Sequence, residues 1–179
     1  MRRGIPAVLT HEPGGTALGN RLRHVLKKRI QDKISPLSEL FLFAACRFQI
    51  VNEVIRPGLR QDKVVICDRF ADSTMAYQGY GRGLNLETIE EINDLATEDI
   101  KPNLTVLLDI SAPQGLGRKK ARSKDRFEAE DIPFHRKVRD GYLQMAGAEP
   151  QRWLVIDGTL PRARIGKIIW DRVSPLLPA

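Results

Sequence analysis

Cysteine and histidine are scarce in this chain, whose 179 residues include two cysteines and three histidines. Cys46 and Cys67 show neither CxxC nor metal-ligand spacing, so we expect both thiols to be reduced and buried. The histidines form no HExxH-like set; they are His11, His24 and His135. The sequence therefore excludes a disulfide framework and gives no signal for a zinc site.

Long apolar runs are also missing. No run approaches the roughly 18 residues that a membrane helix needs, and the apolar part of the MRRGIPAVLT start is too short for a signal peptide. A composition of 42% hydrophobic and 28% charged residues is ordinary for a soluble globular protein. We therefore expect a cytoplasmic protein with no membrane partner, folded as a single domain over residues 1–179.

Positive charge is in excess, with a formal net charge of +7, and two segments together hold more than the whole of this net charge. Gly117–Arg126 and Arg21–Lys33 each contain six basic residues and one acidic residue. Beneath the second segment apolar residues recur at helical spacing, which favours a solvated helix face. The first has no such stripe and is typical of a mobile loop that attracts phosphates or an acidic surface.

Apolar runs alternate with helical patterns, which predicts parallel βαβ units with right-handed crossovers in an α/β fold. The predicted strands are Ile5–Thr10, Val64–Asp68, Leu104–Ser111 and Trp153–Thr159. The predicted helices are Ala17–Ile30, Ser35 to near Pro57, Leu86–Glu98, one interrupted or started near Pro133, and Arg162–Val173.

The second helix combines a start signal with an unusual arginine. Ser35 is its predicted N-cap and Glu39 is close to capping-box spacing. The helix is apolar nearly all round as far as Ala45, so we expect it to be buried. Phe43 and Arg47 share one face and could stack on and hydrogen-bond a nucleobase. On spacing alone, an arginine extending over a core phenylalanine towards solvent is favoured.

Acidic residues follow two predicted strands. Asp68 closes the run VVIC and is followed by Arg69, and Glu12 follows the first strand. The carboxyl ends of parallel strands are where α/β proteins bind ligands, so an acid there could hold a metal ion and an arginine could bind a phosphate. A helix cap paired with Arg69 remains an alternative.

Four motifs in this order resemble one family, the thymidylate kinases, which phosphorylate dTMP with ATP. They are EPGGT at Glu12–Thr16, FAACR at Phe43–Arg47, DRFADSTMAYQGYGRGL at Asp68–Leu84 and DRFE at Asp125–Glu128. The resemblance runs from about Ile5 to beyond Asp157. It implies a nucleoside monophosphate kinase-like fold, a parallel sheet flanked by helices, with a basic lid at about 115–130.

The resemblance also implies residue roles on the acceptor side. Phe43 would stack on thymine, Arg47 would bind a base carbonyl and Arg69 would hold the acceptor phosphate. Tyr77 would pack where a ribose 2′-hydroxyl would lie, with Thr74 and Gln78 near the base edge. Glu12 and Asp68 would serve Mg²⁺ and its waters.

On the donor side, the same resemblance implies that ATP lies under the basic lid. Arg122 would stabilise the charge in transit, with Arg118 and Arg126 behind it. Asp157 and Thr159 would lie near the adenine. A homodimer is the expected assembly, and no specific nucleic acid is expected.

One departure from the family pattern is large, because no GxxxxGK[ST] phosphate loop occurs in the sequence. In the family this loop comes before the EPGG strand, together with the first strand and most of the first helix. Either the start of the sequence is misplaced, or we expect a truncated kinase with unpaired strand edges and impaired transfer. The alternatives are a non-catalytic dTMP-binding remnant and a basic nucleic-acid-binding domain, although the exposed aromatic series that stacks on single strands is lacking.

Overall fold

The computed structural model describes residues 4–28, 34–118 and 125–177. The strands are β1 (Ala7–His11), β2 (Val64–Asp68), β3 (Thr105–Asp109) and β4 (Trp153–Asp157). The helices are α1 (Ala17–Lys27), α2 (Pro36–Ile50), α3 (Arg56–Leu59), α4 (Ala71–Thr74), α5 (Leu86–Thr97), α6 (Ala112–Gly117), α7 (Ile132–Ala148) and α8 (Arg162–Val173). π-Helical turns over Val51–Ile55 and Met75–Gly81 follow α2 and α4, and a 3₁₀ turn over Ser174–Leu176 follows α8.

The predicted bounds are confirmed at β2 and α8, and most other elements differ by a few residues. The second predicted helix ends near Pro57 as expected, because its helical residues run through α2, the π-helical turn and α3 to Leu59. The third predicted strand does not reach Ser111, which is instead the N-cap of α6, a helix that the sequence did not predict. The predicted end of the first helix, at 29–30, lies outside the described residues.

The strands form parallel pairs, as predicted. β1 pairs with β2 and β3 pairs with β4, and within the described ranges the two pairs are separate two-stranded sheets. The register places His11 beside Asp68 and Asp109 beside Asp157, so polar side chains lie together at each carboxyl edge. That the chain lacks the first strand of the family stays a prediction.

Only one face of the β1–β2 pair is covered in the described ranges. A Cβ atom at Gly58 of α3 would lie 3.1 Å from Val65 Cγ2, so this helix packs directly against the strands. On the other face Leu9 is 79% exposed and Ile66 is 53% exposed. Ile66 is therefore exposed although it lies in the apolar run VVIC.

Helix α2 is buried on one side only, so the prediction that it is buried all round is wrong. Leu37 and Phe41 are exposed, whereas the opposite side is buried and includes Cys46 and Arg47. Ser35 caps the helix by accepting a hydrogen bond from Ser38 N at 3.2 Å. Glu39 does not complete a capping box, because its side chain is fully buried and faces the interior.

Both cysteines are free thiols. Cys46 is buried as expected, and burial raises its pKa to about 11. Cys67 is only partly buried, so the expectation of full burial is wrong there. No helix in the described part of the chain is long and apolar enough to cross a membrane.

Glycines allow the π-helical turn Met75–Gly81 to lie tightly against α7. A Cβ atom at Gly81 would lie 2.7 Å from Phe134 Cε2, and one at Gly141 would lie 2.5 Å from the Tyr80 ring. Ala76, Phe134 and Val138 form a buried cluster at this contact. The packing fixes the backbone that carries Tyr77 and Gln78.

Candidate functional site

A cavity of about 300 Å³ lies at the carboxyl ends of β1 and β2. The two strand ends are held together where Glu12 N donates to the Asp68 carbonyl at 2.9 Å. The cavity wall brings together all the residues predicted for the acceptor side: Glu12, Phe43, Arg47, Asp68, Arg69, Thr74, Tyr77 and Gln78. It also includes residues that sequence reasoning did not assign, among them Arg23, Lys27, Ser73, Asp125, Phe127 and Glu128.

Arg47 is the most buried cation at the cavity, with no exposed surface. Its guanidinium forms a two-pronged ion pair with Glu12, in which Nε donates to Oε2 at 3.1 Å and Nη2 donates to Oε1. Nη2 also donates to Thr74 Oγ1 at 2.6 Å, and Nη1 donates to Asn93 Oδ1. The alternative of a side chain that extends to solvent is therefore wrong.

Glu12 is itself 3% exposed, and both of its oxygens accept hydrogen bonds from Arg47. Burial raises the pKa of its carboxyl, against the lowering effect of the Arg47 charge and hydrogen bonds. A buried ionised acid needs such a partner, because the loss of hydration is otherwise costly. Glu12 and Arg47 therefore act as one unit at the base of the cavity.

Within the described ranges, no three His, Cys, Asp or Glu side chains form a metal cluster. Mg²⁺ is usually held by one or two carboxylates, waters and substrate phosphates, so a single acid is enough. Asp68 fits that need, because it is exposed at the end of β2. Glu12 fits less well, since Arg47 occupies both of its oxygens.

Arg69 lies at the cavity mouth in a left-handed backbone conformation, with φ of +70°. Such a conformation is uncommon for a side chain other than glycine and is often found at functional sites. Its guanidinium carbon is 5.2 Å from the centre of the Tyr77 ring. The Tyr142 hydroxyl donates to Ser73 Oγ at 2.8 Å nearby, and burial raises the Tyr142 pKa to about 12.

Three aromatic rings meet at the cavity. The Phe127 ring centre is 5.8 Å from that of Phe43 and 5.9 Å from that of Tyr77, at tilted and edge-on angles. Phe127 is 8% exposed. The DRFE motif is the only sequence signal for a role of Phe127. The motif does not indicate the direction of the Phe127 ring.

The DRFE segment, Asp125–Glu128, is anchored on the end of α1. Lys27 Nζ is 3.0 Å from Asp125 Oδ2, and Arg126 Nε donates to the Leu26 carbonyl at 2.9 Å. Asp125 Oδ1 also accepts hydrogen bonds from the backbone N–H groups of Phe127 and Glu128. Burial raises the pKa of Asp125, but these hydrogen bonds and Lys27 outweigh it, so the pKa is lowered.

Of the residues predicted for the donor side, Arg118, Asp157 and Thr159 do not line this cavity, whereas Arg126 adjoins it beside Phe127. Arg118 Nη2 donates to the Gly158 carbonyl at 3.0 Å, beside the loop in which Asp157 accepts hydrogen bonds from Thr159. Arg126 pairs with Glu39, with 2.6 Å between Nη2 and Oε2, although the two groups are not aligned as a hydrogen bond. Arg122 lies outside the described residues. The catalytic roles of these arginines stay predictions.

Known proteins match this chain along most of its length. The family model for thymidylate kinase matches residues 1–169. Thymidylate kinase of Dehalococcoides mccartyi strain 195 is 48% identical over 174 residues, which is 97% of this chain and 84% of the relative. Thymidylate kinase of Synechococcus sp. strain JA-3-3Ab is 49% identical over 179 residues, which is 100% of this chain and 86% of the relative.

A solved structure agrees with these matches. The crystal structure of thymidylate kinase from Ehrlichia chaffeensis has a TM-score of 0.72 with this chain at 37% identity. The match covers 91% of this chain and 79% of that one. The sequence matches, the helix-flanked parallel strands and the motif residues around one cavity agree: the chain belongs to the thymidylate kinase family of phosphotransferases.

Proposed function

We propose that this chain binds dTMP in the cavity and takes part in the transfer of the ATP γ-phosphate to it, which gives dTDP. The observation that carries the proposal is that one cavity of about 300 Å³ holds an aromatic ring, a buried guanidinium and a second guanidinium at its mouth. These groups, Phe43, Arg47 and Arg69, match the base and the phosphate of a nucleotide.

In this proposal the base lies in the inner part of the cavity. Phe43 stacks on thymine, and the Arg47 guanidinium, held by Glu12 and Thr74, donates to a carbonyl of the base. Thr74 and Gln78, both about 1% exposed, face the base edge. A rigid buried donor suits recognition, because little side-chain entropy is lost when the ligand binds.

The sugar and the phosphate lie towards the mouth. Tyr77 crowds the position that a 2′-hydroxyl would occupy, so deoxyribose is preferred. Arg69 lies over the Tyr77 ring and holds the acceptor phosphate. Its planar guanidinium can bind two phosphate oxygens at once.

The chemistry needs no general base. The second pKa of a phosphate monoester is about 6, so the dTMP phosphate is largely a dianion at pH 7 and is already a nucleophile. The protein residues position the two phosphates in line and neutralise charge. Bound Mg²⁺ would supply further charge neutralisation, and Asp68, with Glu12 behind it, would hold it directly or through waters.

On the donor side we propose that Asp157 and Thr159 contact the adenine of ATP and that Arg118, Arg122 and Arg126 supply positive charge. The contact of Arg118 with Gly158 supports a link between the lid and this loop. Arg126 would have to leave Glu39 to reach a phosphate.

We also propose that the 179 residues alone transfer phosphate poorly and lack the first strand of the family. The sequence contains no GxxxxGK[ST] loop to hold the donor phosphates, and flexible arginines do not fix the γ-phosphate in line. The separate strand pairs and the exposed Leu9 and Ile66 support a missing covering element. A non-catalytic dTMP-binding protein is the corresponding alternative.

Isothermal titration calorimetry with dTMP and its ribose counterpart tests the binding proposal. We expect dTMP to bind more tightly, and Tyr77→Ala to reduce the difference. Arg60→Ala is a matched control, because this exposed arginine does not line the cavity. Equal affinity for the two nucleotides would remove Tyr77 from the sugar site, and no binding of either would overturn the function.

A coupled ADP-release assay with ATP, Mg²⁺ and dTMP tests the donor-side proposal separately. We expect turnover near background for the 179-residue chain, and recovery when a segment carrying a phosphate loop is fused before it. Strong dTMP-dependent turnover without that segment would contradict the donor-side proposal and leave the acceptor site intact.

We propose that the protein is a cytoplasmic homodimer. In each protomer, residues 1–179 form one domain. Three exposed apolar side chains follow one stripe of α2 and support a self-association surface: Leu37, Phe41 and Phe48, which are 46%, 54% and 47% exposed. Sedimentation of the wild type and of Phe41→Glu would test it. A monomeric wild type would contradict the dimer.

A further inference from the structure

Glu39 is a buried acid that the family resemblance does not assign to the site. It lies in the first turn of α2 and has no exposed surface. Its carboxylate oxygens face three side chains from other parts of the chain: Gln78, Arg82 and Arg126. A carboxylate in such a position needs compensating partners, because burying an unpaired charge is strongly unfavourable.

The charges around Glu39 keep it an acceptor. Arg126 Nη2 lies 2.6 Å from Oε2, and Arg82 Nε lies 3.4 Å from Oε1. Arg126 is therefore the nearer cation for Glu39. Arg82 is shared, because it also pairs with Glu130 at 2.7 Å. An ionised carboxylate between two guanidinium groups has no proton to donate.

Gln78 Nε2 donates to Glu39 Oε1 at 2.6 Å. Because Glu39 only accepts, the reverse orientation of the carboxamide would place two oxygens against each other. The Gln78 amide therefore has one allowed direction. The other end of the carboxamide, Oε1, is not engaged by Glu39, and the side chain lines the cavity.

We propose that Glu39 is a positioning residue that turns the Gln78 carbonyl oxygen towards the bound base and thereby selects bases that carry an N3–H donor. This inference rests on the proposed function, since it assumes that the base occupies this cavity. Thymine and uracil have a proton on N3, whereas cytosine has a lone pair there. A fixed acceptor would attract the first two and repel the third.

The size of the effect follows from the burial of Gln78, which is 1% exposed. A buried polar group that loses its partner, or meets another acceptor, costs more than an exposed one. Sites built in this way reject a mismatched ligand strongly, because no water replaces the missing bond. Glu39 contributes to specificity through Gln78 without touching the nucleotide.

The test is the ratio of the dissociation constants of dCMP and dTMP, measured by calorimetry. In Glu39→Gln the residue at position 39 offers both a donor and an acceptor, so Gln78 is free to turn. We expect the ratio to fall about tenfold or more, since dTMP loses its fixed acceptor and dCMP gains a donor. A role in stability alone would weaken both nucleotides equally and leave the ratio unchanged.

Two variants serve as controls. Arg82→Gln removes a cation from Glu39 but leaves the Glu39–Gln78 hydrogen bond, so it should keep the wild-type ratio. In a Gln78→Leu background, Glu39→Gln should no longer change the ratio, because the two residues act in series. If Glu39→Gln does not fold, Glu39→Gln with Arg126→Gln, which removes one charge of each sign, carries the same test.

The outcomes separate the two proposals. Wild-type protein that binds dTMP, with a ratio that Glu39→Gln does not change, overturns the role of Glu39 and leaves the function standing. Wild-type protein that binds neither nucleotide overturns the function and this inference together. A fall in the ratio that is absent in the Gln78→Leu background supports both.

Discussion

Replacement of Arg47 by methionine should destabilise the fold severely. The change replaces the guanidinium with an apolar side chain of similar length. It leaves Glu12, 3% exposed, without the cation that holds both of its oxygens. Breaking a buried ion pair by removing one partner costs about 3–5 kcal/mol. For a chain of this size each kcal/mol lowers the melting temperature by about 2–4 °C, so we expect a decrease of about 6–20 °C.

The pH dependence of the loss identifies its cause. Without Arg47, the burial that raises the Glu12 pKa acts unopposed, so the folded-state pKa moves further above the ordinary value of 4.5. A carboxyl with a raised folded-state pKa favours the folded state most below 4.5, and that contribution is lost as pH rises through the folded value. The deficit of Arg47→Met should therefore be largest near pH 7 and should shrink towards pH 5.

Urea unfolding followed by circular dichroism measures both effects. The double variant Glu12→Gln with Arg47→Met should recover part of the loss, because no unpaired charge remains. The reasoning would be refuted by a single variant that loses less than about 1 kcal/mol, the range of an exposed ion pair. A deficit that grows as the pH falls would also refute it.

Three further predictions concern the rest of the cavity. Arg69→Ala should weaken dTMP binding by about 10- to 150-fold, the value of a charge-assisted phosphate contact, and an unchanged dissociation constant would remove it from the site. Asp125→Asn should be less stable than the wild type at pH 7, and this difference should be lost as the pH falls below 3.8. The reason is that the lowered pKa of Asp125 stabilises the folded state only while the carboxyl is ionised. Urea unfolding at several pH values checks this. Phe127→Ala should speed dTMP release in stopped-flow measurements, and an unchanged rate would place the Phe127 ring away from the ligand.

The sequence predicted the order and type of most elements because local patterns determine them. The predicted helix Arg162–Val173 and the apolar run that ends at Asp68 are observed as α8 and β2. The arrangement of the strands as two separate pairs was not predictable, because hydrogen bonding between strands depends on contacts far apart in sequence. The exposure of Ile66 follows from that arrangement and not from its own neighbours.

The sequence also predicted which acceptor-side residues would meet, but not how they are connected. Parallel strand ends and two motif helices place them at one cavity. The partner of Arg47 was missed, because Glu12 is 35 residues away and carried its own expected role. Glu39 was interpreted as a cap from its spacing to Ser35, whereas tertiary contacts with Gln78 and Arg126 determine its position.

A crystal structure of the chain with bound dTMP tests the central claim most directly. The account predicts thymine against the Phe43 ring, the phosphate on Arg69, and the Gln78 carbonyl oxygen within hydrogen-bonding distance of N3. Density for dTMP elsewhere, with this cavity empty, would contradict it.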